Sequence, residues 1–146
     1  MQHMTHRFKW AFAVFALTAS VLIAGAAPAS AAPRHHIQVR LHAVGGSGVS
    51  GIVDLRQSSG SSTSVEVLAF GLAPNADYVS LYYSNHVCAL EPYSVNDVIG
   101  GIYTANAVGV GVTRGPADDI LANINSVSVR KADFTLVACA NLHPGA

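Results

Sequence analysis

Three features of this sequence predict an all-β fold, an antiparallel sandwich or barrel. Short segments between residues 33 and 146 alternate apolar with polar residues, the pattern of strands with one buried face. Gly, Asn and Ser clusters punctuate those segments at regular spacing. No segment there carries a convincing helical period.

The elements follow in order. IQVRLHA (37–43) alternates and reads as the first strand, and VGGSGVSG (44–51) as a flexible connection. GIVDLRQ (51–57) puts Val53 and Leu55 on one face and Asp54 and Arg56 on the other. SSGSS (58–62) is a turn, and TSVEVLAFGL (63–72) alternates Val65 and Val67 with Ser64 and Glu66. APNAD (73–77) is a second turn, YVSLYYS (78–84) a fourth strand, and NHVCALEPYSVNDVIGG (85–101) a long excursion. GIYTANAVGVGV (101–112) predicts a hairpin turning near Asn106. GPADDILANIN (115–125) is the one stretch with a helical alternative: Pro116 before Asp118 and Asp119 suits a first helical turn, or a loop running into a strand. SVSVRKADFTLVACA (126–140) closes the chain with two strands around a Lys-Ala-Asp turn.

The N-terminal part has a different pattern. Arg7 and Lys9 precede the uncharged run WAFAVFALTASVLIAGAA, and PASAAP follows with Ala29, Ala31 and Ala32. That is the layout of a secretory signal peptide cleaved after about residue 32. The competing reading is a membrane anchor; the run is near the lower length limit for spanning, and Pro28 with the small-residue run favours cleavage. No cysteine for a lipid anchor lies near the site, and no Arg-Arg pair precedes the run. The expectation is a secreted protein whose residues 33–146 form one domain with short flexible ends, beginning with PRHH. All 8 acidic residues lie in that part, against Arg34, Arg40, Arg56, Arg114, Arg130 and Lys131. The charges are scattered, so nucleic acid and anionic membrane are poor partners.

Cys88 and Cys139 are the only 2 cysteines, and both lie in the exported part. An even pair in an oxidising compartment reads as a disulfide. Two free thiols or a metal pair are the alternatives, and the separation of 51 residues does not resemble a CxxC-type zinc site.

Two stretches resemble a known family. GVSGIVDLRQ followed by TSVEVLAFGLAPNADY is similar to the opening strands of copper/zinc superoxide dismutase and of the related CHRD-type domains. LVACANL (136–142) is similar to the last strand of the dismutase, which carries one half of the family disulfide. The other half comes from the loop after the fourth strand, where Cys88 stands. The resemblance covers most of residues 38–142. It implies a Greek-key antiparallel β-sandwich of seven or eight strands with one disulfide, and a small secreted bacterial member of the group. It does not bring the activity. The family's copper-binding His-x-His pair is replaced by Ser80 and Tyr82, and the excursion that matches the zinc loop has His86 as its one histidine. A redox copper site needs several imidazoles. Arg130 is a loose counterpart of the family's anion-guiding arginine, and that role is not carried over.

The remaining candidates each have a plain alternative. His86, two residues from Cys88, lacks metal partners at ordinary spacing and suits a hydrogen bond to a loop backbone. His35 and His36 near a new N-terminus suit Cu(II) or Ni(II), or a disordered leader. His42 and His143 read as structural or incidental. Tyr82, Tyr83 and Tyr93 are candidates for a recognition surface, against ordinary packing across strands. Adjacent residues of a strand face opposite sides, so one of Tyr82 and Tyr83 is expected in the core and the other on the surface, with Tyr82 toward the old metal side. Asp118 and Asp119 with Asp97 or Glu91 lack a defined calcium loop. No Gly-x-Ser-x-Gly supports a hydrolase. No catalytic residue, metal or cofactor is expected. The reading is a secreted, non-catalytic binding or structural module with a protein or surface partner. The alternatives are a divergent dismutase-like copper protein through His35, His36, His86 or His143, and a surface or matrix protein assembling through a sheet edge.

Overall fold

The computed structural model describes residues 35–58, 61–92 and 97–143. The chain divides into Met1–Ala32 and Pro33–Ala146, and the expected leader lies outside the described residues. Eight strands are found among the described residues: β1 (His36–Ala43), β2 (Ser50–Gln57), β3 (Thr63–Phe70), β4 (Asp77–Tyr83), β5 (Val98–Thr104), β6 (Val110–Ala117), β7 (Ser126–Lys131) and β8 (Leu136–Asn141). The first four fall where alternation places them. Val53 and Leu55 of β2, and Val65, Val67 and Ala69 of β3, are fully buried, while Asp54, Arg56, Ser64 and Glu66 face outward. His36, expected in the flexible lead, is already in β1 opposite Arg56.

The hydrogen-bonded order is β5-β4-β7-β8-β1-β2-β3-β6, and every pairing is antiparallel. β1 joins two layers. Its residues 36–41 pair with β2, and His42 and Ala43 pair with β8. One layer is then β1-β2-β3-β6 and the other β5-β4-β7-β8. β7 lies beside β4 rather than beside β6, a Greek-key return. The inner faces meet in one core, with Leu55, Val67, Tyr78, Ile99, Val127 and Val129 among its members.

The two strands at the ends of the order, β5 and β6, lie against each other. Thr113 Oγ1 donates to the Ile99 carbonyl at 2.8 Å. A Cβ on Gly115 would sit 2.4 Å from the Gly100 nitrogen, and one on Gly100 would sit 2.5 Å from the Arg114 carbonyl oxygen. The approach therefore requires glycine on both strands.

Two expectations are corrected. The turn at Asn106 is present: its Oδ1 accepts from the backbone of Val108 and Val110, and its N–H donates to the Val110 carbonyl. The flanking strands do not form the expected hairpin ladder. β5 pairs with β4 and β6 with β3, so the connection crosses between layers. β5 also starts at Val98, inside the expected excursion. The helical alternative at 115–125 is not taken. β6 runs through Gly115 and Pro116 to Ala117, and Asp119 Oδ1 then caps one turn by accepting from Ile120 N and Asn123 Nδ2. Pro116 is tolerated because β6 is an end strand that pairs through one side.

Gly115→Ala tests the closure. Its added methyl meets backbone rather than a movable side chain. The expected loss is about 1–3 kcal/mol, or roughly 5–15 °C in Tm, read by thermal denaturation.

Candidate functional site

The opening of the long excursion is an ordered loop. Asn85 organises it: Oδ1 accepts from the backbone of Val87 and Ala89, and Nδ2 donates to the Ala89 carbonyl. The Glu91 carboxylate accepts from the backbone and hydroxyl of Ser84 and from the backbone and side chain of Asn85. Burial opposes its ionised form, but the bonds from Asn85 and Ser84 outweigh that and hold the carboxyl below its ordinary value of 4.5. Cys88 then takes a left-handed backbone, φ 53°, rare for a residue with a side chain. It is bonded to Cys139 of β8, as the sequence predicts, with the two Cα atoms 6.0 Å apart.

Arg130 of β7 lies beneath this loop, 5% exposed. Nη2 donates to the Cys88 carbonyl at 2.6 Å, Nη1 to the Phe134 carbonyl at 2.7 Å and Nε to the Tyr83 hydroxyl at 2.9 Å. The Tyr83 hydroxyl is also hydrogen-bonded to Ser128 Oγ, 2.7 Å away. The guanidinium also stands 5.8 Å from the centre of the Tyr83 ring. Arg130 is therefore a clamp under the cross-linked loop, turned away from solvent.

Tyr82 and Tyr83 face opposite sides of β4 as expected, but the outward one is not at the surface. Tyr82 packs half-buried against the main core, with Ser80 and Tyr78 on the same inward side of β4. Tyr83 points the opposite way and yet is 3% exposed, because the loop and the Phe134 turn cover that side. It joins Val79, Leu81 and Cys88 in a second apolar cluster and offers no recognition surface. Tyr93 lies outside the described residues. The signal was in the sequence: a bond from Cys88 to the last strand draws the loop over the outer face of β4. Ser80 is fully buried, its hydroxyl 3.1 Å from that of Tyr103. Burial pushes the Tyr103 hydroxyl up to about 12, the Ser80 bond opposing it.

Among the described residues the histidines fall into three places. His35 is exposed, and His36 Nε2 meets Asp54 Oδ2 at 2.7 Å on the outer face of β1 and β2. His86 Nδ1 and the backbone N–H of His143 both meet Asn141 Oδ1, at 3.2 and 3.1 Å. Among the described residues no group of three or more His, Cys, Asp or Glu is placed to hold a metal ion. His42 is exposed in β1.

A further feature went unread in the sequence. The outer face of β1-β2-β3-β6 carries a groove of about 450 Å³. Register builds it: Gln38, Asp54, Glu66 and Arg114 form one row across the four strands. Ile52 and Leu68 belong to the row on one side of it, Arg56 and Ser64 to the row on the other. Arg56 Nε donates to Asp54 Oδ1 at 2.9 Å, and Arg114 Nη2 donates to Glu66 Oε2. The Arg56 bond, helped by His36 and opposed by burial, holds Asp54 below its ordinary 3.8. A second hollow, about 440 Å³ and apolar, lies between Val79, Ile102 and Phe134 on the other layer. Strand alternation predicts which residues face outward, but only the register aligns Asp54 with Glu66.

No protein-family model matches the sequence, and no curated protein matches it.

Two measurements check the loop. Cys88→Ser is expected to cost about 4 kcal/mol, the entropy of closing a loop of this size, read as a fall in Tm matched by reducing the wild type. Glu91 has a depressed pKa, so its contribution is present above the ordinary value of 4.5 and lost as pH falls through the folded value. Glu91→Gln is expected to lower Tm at neutral pH and to flatten its fall on the acid side.

Proposed function

We propose that the protein is an exported, non-catalytic binding module on a dismutase-like β-sandwich. The observation that carries this reading is the inward side of β4. Ser80 and Tyr82 stand where the resemblance puts copper ligands, and Ser80 is fully buried against the Tyr103 hydroxyl. A serine hydroxyl and phenols do not fit a redox copper centre, which takes several imidazoles. The Greek-key order and the disulfide from the loop after β4 to the last strand agree with the resemblance. The disulfide is compatible with an extracellular setting, and among the described residues no helix is long and apolar enough to cross a membrane. Assembly through a sheet edge finds less support, because β5 and β6 lie against each other.

One observation favours a second reading. The His86 ring and the His143 backbone both meet Asn141 Oδ1, and His143 Nε2 is buried without a hydrogen-bond partner, so a copper-binding role would run through these two residues rather than through the old site. Elemental analysis after loading with copper and zinc and dialysis separates the two. No retained metal is expected. About one copper per chain, lost in the His86→Ala and His143→Ala double variant, would contradict the binding-module reading.

A further inference from the structure

We infer that the groove on the outer face of β1-β2-β3-β6 binds an acidic sugar, a uronic acid unit of a polysaccharide, an inference that rests on the binding-module reading. Its volume, about 450 Å³, is in the range of small-ligand sites. Its charges are staggered in height. The side chains of Arg56 and Arg114 are 69% and 68% exposed, whereas those of Asp54 and Glu66 are 20% and 38% exposed. The guanidinium ends therefore stand at the rim and the carboxylates sit lower. Each ion pair takes one N–H donor from a guanidinium that has five. Forked donors remain on both arginines for an incoming carboxylate.

The rest of the described domain directs an anion to this face. Its three exposed arginines, Arg40, Arg56 and Arg114, are all on the outward rows of this layer. Asp77, Glu91, Asp97, Asp118, Asp119 and Asp133 belong to other strands or to loops. Away from this face the exposed Lys131 stands against those six carboxylates, so the arginine-tipped face draws anions preferentially to itself.

The lower layer of the groove selects among anions. Asp54 and Glu66 are acceptors, Gln38 offers both an acceptor and donors, and Ser64 adds a hydroxyl. Ile52 and Leu68 supply an apolar floor beside them. Sulfate has no hydroxyl to give the two carboxylates, phosphate offers no C–H face to the apolar floor, and the carboxylates repel both. A nucleic acid strand meets the same repulsion at each phosphate. A hexuronate presents a carboxylate for the arginines, ring hydroxyls for the carboxylates and amide, and a C–H face for the floor. An acidic peptide offers charge without the hydroxyls, and for that reason is the less suited ligand.

The test is calorimetric titration of the exported protein with trigalacturonate, cellotriose and a tri-glutamate peptide, backed by amide NMR shifts. The same titrations follow on Arg56→Gln/Arg114→Gln, whose fold is checked by its melting curve. Trigalacturonate is expected to bind at least about tenfold more tightly than the other two, to weaken with salt and to lose about tenfold or more in the double variant. Equal binding of cellotriose, tighter binding of the peptide, or indifference to the arginines would overturn the inference. Absence of trigalacturonate binding would overturn it as well. The metal analysis keeps its failure distinct: a metal-free protein that ignores trigalacturonate refutes this ligand alone, whereas retained copper refutes the module reading.

Discussion

The layer β5-β4-β7-β8 depends on one arrangement, the Cys88–Cys139 bond with Arg130 beneath it. An uncompensated buried cation costs several kcal/mol. Arg130 is offset by the carbonyls of Cys88 and Phe134 and the hydroxyl of Tyr83. One of those carbonyls belongs to a residue in a left-handed conformation, which the peptide alone disfavours. The disulfide keeps that residue in place, and the guanidinium in turn fixes its carbonyl. Together they lay the loop over β4 and turn Tyr83 and Leu81 into a second core.

The two layers consequently differ. The outer side of β4 and β7 is covered, and all but the last residue of β7 is buried. Among the described residues nothing covers the outer side of β1-β2-β3-β6 in this way. Its outward rows remain in solvent, and the charged groove lies there. The glycine contact between β5 and β6 closes the far side of the sandwich. The inward side of β4 is packed, with Ser80 against Tyr103.

Much of this was legible in the sequence, for physical reasons. Alternation in GIVDLRQ and TSVEVLAF fixes which side chains are buried, because a strand with one dry face has period two. The turn at Asn106 was legible because its side chain bonds its own loop. The partner of each strand was not. β5 and β6 flank that turn and yet belong to different layers, a choice made by contacts with β4 and β3. Tyr83 was expected opposite Tyr82 and is, but its burial depends on a loop pinned 51 residues away in sequence. The groove was hidden for the same reason: Asp54, Glu66 and Arg114 meet only through register across three strands.

Amide hydrogen exchange on the oxidised protein and on the Cys88→Ser/Cys139→Ser variant tests the dependence directly. If the cross-link and Arg130 hold the cover of one layer, protection falls in residues 84–92 and in β7 and β8, while β2 and β3 keep theirs. An unchanged loop, or an equal loss across β2 and β3, would contradict that division of the fold.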